Sequence, residues 1–174
     1  MKSNQTEFTR RIPAVAKKYH ERAYKMVTKL HQAWDLEKDA EKVKRIFFKD
    51  AKLLSNPHYW EILRTIWVIA GNSDNVKEFL PFFTSKRPCK SWFMTPEDEN
   101  TLNNIKFPLT VYRAYRTEPD QGISWSSDLE FVKRFAGKSR KIKKRSINRQ
   151  DVFAYISRRH EHEFIILNDQ HTPV

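Results

Sequence analysis

Three short stretches carry the side chains that could do chemistry. They are Val111-Tyr112-Arg113-Ala114-Tyr115, Gly122-Ile123-Ser124-Trp125-Ser126-Ser127-Asp128, and Arg159-His160-Glu161-His162-Glu163-Phe164-Ile165-Ile166-Leu167. Arg113 offers a planar, permanently charged fork of donors that suits phosphate or ribose oxygens. Ser124 and Ser126 are two residues apart, so on a strand both hydroxyls face one side. Glu161 and Glu163 obey the same rule if extended, with His160 and His162 on the other face. Two carboxylates on one side repel unless a cation sits between them, and an arginine substrate would supply one. Taken singly, each stretch is also an ordinary strand charge, turn or polar edge. Their order and spacing together carry the reading.

In that order the stretches resemble the Arg–Ser–Glu signature of ADP-ribosyltransferases. Over roughly residues 95 to 168 the chain is similar to the small mono-ADP-ribosyltransferases of bacteriophages and bacterial toxins. The resemblance implies NAD as the ADP-ribose donor substrate, with no metal. Cleaving the nicotinamide–ribose bond develops positive charge on the sugar, which negative charge must stabilise. By resemblance, Glu163 is the catalytic glutamate, and Glu161 orients or deprotonates an acceptor arginine. Arg113, Ser124, Ser126 and Phe135 would bind NAD, with Phe135 near the nicotinamide. The family usually has threonine between the two serines. Trp125 stands there instead, on the opposite face of the strand. The implied partner is an intracellular host protein with an acceptor arginine, in the host bacterial cytoplasm if the chain is phage-encoded.

Other readings stay open. The acceptor could be nucleic acid: the segment from Lys133 to Arg149 holds nine Lys or Arg and no acid, enough to track a phosphate backbone or contact a ribonucleoprotein. A solvated loop, or an edge strand blunted by lysines, would explain the same segment. A third reading is a catalytically inactive basic module of the same fold, binding nucleic acid or protein. His160-x-His162 lacks a third metal ligand at a convincing spacing. Glu161 and Glu163 are too close in sequence to set a glycosidase separation freely.

Composition narrows the field. The chain has 174 residues, with 33 Lys and Arg against 21 Asp and Glu, a formal net charge of +12 that favours polyanionic partners. The single cysteine, Cys89, excludes an internal disulfide framework and a cysteine zinc site. With three glycines there is no GxGxxG or Walker loop, so NAD would be held by side chains and strand edges. No apolar run approaches a bilayer span, and the charged sequence after Met1–Gln5 gives no signal-peptide expectation. A cytoplasmic protein with no membrane contact is expected. Oligomeric state is open.

The elements that must position these residues divide the chain in two. Residues 1–94 read as a helical region, and residues 95–174 as an ADP-ribosyltransferase-like α+β catalytic region with a small split sheet. Whether the halves share one core is open. One helical stripe runs Ala16, Tyr19, Ala23, Val27, Leu30 and Trp34. A second runs Leu36, Ala40, Val43, Phe47, Ala51 and Leu54. Ser55-Asn56-Pro57 predicts the start of a helix carrying Trp60, Leu63, Trp67 and Ala70, with Gly71 as its stop. Asn72-Ser73-Asp74 predicts a cap for a short helix to Phe79 and Leu80, with a ragged end at Pro81. Residues 84–94 read as a linker, and Thr95-Pro96-Glu97-Asp98 as a capped helix start. Strands are expected around Leu109–Tyr115, Ile123–Ser126, Asp151–Ile156 and Glu163–Leu167. A helix capped by Ser127 or Asp128 should end at Gly137.

Overall fold

In the computed structural model of the chain, the described residues are 21, 24–26, 28–30, 32–33, 38–71, 76–118, 120–157 and 162–167. Most of the first predicted stripe, Leu36, the cap at residues 72–74 and Glu161 lie outside them. Within residues 21–33, Met26, Leu30 and Ala33 are buried.

Helix α1 (Ala40–Asp50) starts where the Asp39 carboxylate accepts the backbone N–H of Lys42 at 2.8 Å. Its stripe buries Val43 and Phe47, and a 3₁₀ turn carries the burial on to Ala51 and Leu54. Helix α2 (Asn56–Ala70) has Pro57 in its first turn, where a missing N–H costs nothing. It buries residues all round, including Trp60, Leu63, Ile66 and Trp67, so it is the central helix rather than a surface one. Gly71 ends it with φ of −72°, not left-handed. Glycine suits this position for space: a Cβ there would lie 2.3 Å from the Trp67 ring.

Helix α3 (Val76–Phe83) passes through Pro81 instead of fraying there. Phe79 and Phe83 are both buried, so packing on either side of the proline offsets the lost helical hydrogen bond. The linker is also tied down. The Trp60 indole donates to the Pro88 carbonyl at 2.8 Å, Arg87 donates to the Leu54 carbonyl at 2.8 Å, and a 3₁₀ turn at Lys90–Phe93 buries Phe93. Helix α4 (Pro96–Asn103) opens with the predicted capping box, Thr95 with Asp98.

The strands are β1 (Leu109–Tyr115), β2 (Ser124–Ser126), β3 (Lys141–Ile147), β4 (Ala154–Ile156) and β5 (Glu163–Ile165). Helix α5 (Leu129–Ala136) lies between β2 and β3, with Asp128 as its cap and Gly137, at φ 54°, as its stop. The strands form one antiparallel sheet in the order β3-β1-β2-β5-β4. The fold is therefore α+β, with a single five-stranded sheet where a split one was expected. β1 and β3 pair along their whole length, from Leu109↔Ile147 to Tyr115↔Lys141. β1 and β2 meet at one register pair, Tyr112↔Ser126. β2 is thus the narrow bridge that joins the two sides. One apolar core runs from Met26 to Ile166 through both halves of the chain. A smaller cluster of Ala114, Val132 and Ala136 seats α5 on the sheet.

Candidate active site

A cleft of about 220 Å³ opens where the end of α2, the β1–β2 bridge, α5 and the start of β5 come together. Arg113, Ser124, Ser126, Phe135 and Glu163 all line it. Glu161 is not among the described residues. Register explains part of this convergence. Ser126 pairs with Tyr112 on one side and Glu163 on the other, so these three side chains form a row across one face of the sheet. Ser124, two residues earlier, shares that face.

Glu163 is half-buried, and its Oε1 accepts the indole N–H of Trp67 at 3.0 Å. Trp67 is 4% exposed. Phe79 and Phe83 pack edge-on against it, with ring centroids 5.3 and 5.1 Å away. The ring cannot swing without disturbing both, so the helical half aims this N–H at the carboxylate. Sequence reasoning placed Trp67 only in a core stripe. The available signal was the indole itself, because a buried tryptophan N–H needs an acceptor.

Ser126 is buried and its hydroxyl accepts the Asp128 backbone N–H at 3.0 Å. The Asp128 carboxylate in turn accepts the Phe131 N–H at 2.9 Å. This relay orients α5, and with it the aromatic wall of the cleft. Phe135 stands at the mouth, 53% exposed. It lies nearly parallel to Phe131, and the Arg140 guanidinium sits 4.6 Å above its ring. Its exposure sets it apart from an ordinary core residue of an amphipathic helix.

Arg113 behaves differently from a cation presented to a ligand. It is 6% exposed, donates from Nε to Asp120 at 2.8 Å, and donates from Nη1 to the Ser124 carbonyl. Past the one β1–β2 register pair the strands diverge, and the guanidinium supplies a donor to β2 there. Gly122 makes room for it, since a Cβ at that position would fall 1.5 Å from Nη2. Asp120 also receives the Lys143 ammonium at 2.9 Å and the Gly122 N–H at 3.0 Å. Burial alone would push the Asp120 carboxyl up. The hydrogen bonds from Arg113 and Lys143 outweigh it and hold the group below its ordinary 3.8. In the sequence, Asp120 read only as part of a turn, so this partner was missed.

The expected alternation through Glu161 and Glu163 breaks at the intervening residue. His162 has φ of 44°, in the left-handed region, and β5 begins only at Glu163. The extended geometry that would put both glutamates on one face does not reach back through this position. His162 Nδ1 lies 2.6 Å from the Tyr155 hydroxyl. Burial, reinforced by the Asp98 charge, raises the Tyr155 phenol above its ordinary range.

Chemically, the cleft offers one carboxylate fixed by a buried N–H, two nearby serines and an aromatic wall. Such a carboxylate can stabilise positive charge that develops on a bound substrate. Among the described residues, no group of three or more His, Cys, Asp or Glu gathers as metal ligands. Among the same residues, no helix is long and apolar enough to cross a membrane. No family model, curated protein or solved structure matches the chain.

Proposed function

We propose that the chain is a mono-ADP-ribosyltransferase that moves ADP-ribose from NAD to an arginine of an intracellular protein, with an ADP-ribosyltransferase fold built on the five-stranded sheet. The observation that carries the reading is the Glu163 carboxylate, held by the Trp67 N–H in a cleft that Ser124, Ser126 and Phe135 also line. In the reaction the bond between nicotinamide and ribose breaks, and its electron pair leaves with nicotinamide. The sugar carbon becomes cationic, and Glu163 stabilises it. An arginine nitrogen then bonds to that carbon and gives up a proton. Phe135 borders the nicotinamide, and Ser124 and Ser126 contact the donor or orient Glu163. Arg113 acts mainly by holding β2 in place, because Asp120 and the Ser124 carbonyl already occupy its fork. Glu161 serves the acceptor, and a host protein is the target if the chain is phage-encoded.

Incubation with labelled NAD and a bacterial lysate tests this. The expected result is a labelled protein band that releases its label as ADP-ribosyl-arginine. Glu163→Gln keeps the shape of the side chain but removes its charge. It should slow nicotinamide release by a factor of about 100 or more, the scale for losing a key transition-state charge interaction. Wild-type turnover by that variant would remove Glu163 from the mechanism. No NAD consumption by folded wild-type protein, with and without lysate, would overturn the proposal.

A further inference from the structure

The basic segment separates into cations that are engaged within the fold and cations that are not. Lys133 pairs with Glu130 at 2.7 Å, and Lys143 pairs with Asp120 at 2.9 Å. Arg140 donates to the Phe135 carbonyl at 3.1 Å, and the Arg145 guanidinium lies 5.6 Å from the Trp125 ring centre. The other five are Arg134, Lys138, Lys141, Lys144 and Arg149. All five are exposed, and none makes a side-chain ion pair or hydrogen bond among the described residues.

Their placement is not random. Among the described residues β3 is an edge strand, with β1 its only partner in the sheet. Lys141 and Lys144 sit on it about 10 Å apart along the edge, at a rise of roughly 3.3 Å per residue, and project from opposite faces of the sheet, Lys144 on the α5 side. Lys138 precedes β3, Arg149 follows it, and Arg134 projects from α5, which packs on β3. From Phe131 to Gln150 the sequence holds no acid to neutralise them. The strip has few exposed apolar anchors of the kind that dominate protein–protein hot spots. Its exposed large apolar side chains are Ile142 and Phe135, and Phe135 stands where the strip meets the mouth of the cleft.

From this we infer that the β3 edge and the adjoining face of α5 form a docking strip for nucleic acid, gripped through its phosphates. Clustered cations without matching acids are the electrostatic footprint of a phosphate backbone. The strip leads to the cleft, so it would recruit targets that carry nucleic acid, such as ribonucleoproteins. This surface is independent of whether the cleft turns over NAD.

The test is fluorescence anisotropy of a labelled single-stranded oligonucleotide against the full chain at several salt concentrations. The strip variant Lys138→Ser, Lys141→Ser, Lys144→Ser and Arg149→Ser should weaken binding about tenfold or more at 0.1 M salt. It should also flatten the plot of log K against log salt by up to about 3, at roughly 0.7 per lost phosphate contact. A control variant removes the same charge elsewhere, through Lys49→Ser, Lys77→Ser, Lys86→Ser and Lys90→Ser, all exposed positions. It should bind nearly as the wild type does. Equal loss in both variants would reduce the effect to net charge. Displacement by polyglutamate as effective, charge for charge, as by unlabelled oligonucleotide would make the strip an acidic-protein surface instead. Absence of wild-type binding at 0.1 M salt would overturn the inference outright. Nicotinamide release, measured in parallel, should be the same in all three proteins if the cleft is active.

Discussion

The helical half and the sheet half hold their cleft side chains by opposite means. Around Glu163 the restraint is apolar and distant in sequence. Trp67, wedged against Phe79 and Phe83, presents one N–H to one carboxylate oxygen. Around Arg113 the restraint is polar: Asp120, Lys143, the Gly122 N–H and the Ser124 carbonyl are bound together where β1 and β2 part. The first arrangement fixes a carboxylate at the wall of the cleft. The second uses its charges on each other. A motif residue can thus line a candidate active site and still be chiefly a brace.

That contrast predicts which half should fail hardest. Arg113→Ala would leave Asp120 buried with Lys143 as its remaining cation, and would remove a donor to β2. Breaking a buried pair by removing one partner costs about 3–5 kcal/mol. The urea midpoint should therefore fall steeply, and Arg113→Lys should recover only part of it, because an ammonium lacks the fork. An unchanged midpoint for Arg113→Ala would mean that the network is not a brace, and Arg113 would return to a direct ligand role.

Acid should act on the same polar side. Two carboxyls, that of buried Asp98 and that of half-buried Asp120, sit below their ordinary 3.8 in the fold. At Asp98, as at Asp120, burial pulls upward. At Asp98 it is outweighed by the Ser157 N–H and hydroxyl together with Arg64. For a depressed carboxyl, the stabilisation is fully present above the unfolded value. It is lost as pH falls through the folded value. Stability should therefore hold from neutral pH down to about 4 and then drop. Asp120→Asn should lower the neutral-pH urea midpoint and flatten its acid dependence. An acid drop as steep in both Asp98→Asn and Asp120→Asn as in the wild type would place acid sensitivity elsewhere.

How much of this was legible in the sequence follows the same division. The α1 and α2 stripes, the Thr95 capping box, the Asp128 cap, the Gly137 stop and strand β1 all rest on local period or local capping, and they read correctly. Strand β3 is not among the expected strands, and a lysine-blunted edge stands only as one option beside a solvated loop. Three further features escaped. Pro81 stays inside a helix because Phe79 and Phe83 are buried against Trp67 of α2. Asp120 belongs to an ion network that only the divergence of β1 and β2 creates. Trp67 reaches a carboxylate 96 residues away. Each depends on a contact between distant segments, which spacing along one segment does not encode. The face-sharing of Glu161 and Glu163 assumed extended chain at His162, and a single left-handed residue removes that premise.

The smallest expected effect is also the sharpest probe of the contrast. Trp67→Phe keeps an aromatic ring between Phe79 and Phe83 but deletes the N–H that meets Glu163. One hydrogen bond to a charged group contributes about 1.5–3 kcal/mol, and part of that is recovered if water reaches the carboxylate. Stability should therefore fall by about 1 kcal/mol, far less than for Arg113→Ala. If the cleft turns over NAD as proposed, losing this restraint on Glu163 should lower kcat for nicotinamide release about tenfold while KM stays close to wild type, the pattern for an interaction felt mainly in the transition state. A signal independent of turnover is the Trp67 indole N–H resonance, assigned by its absence in Trp67→Phe. It should shift clearly in Glu163→Gln, because its acceptor loses a full charge. If that resonance ignores Glu163→Gln, the two side chains are not in contact in solution. If it responds but NAD is never consumed, the contact stands and the transferase reading falls. If kcat and KM fall together with stability, Trp67 is packing alone, and the helical half would have no direct part in the chemistry of the cleft.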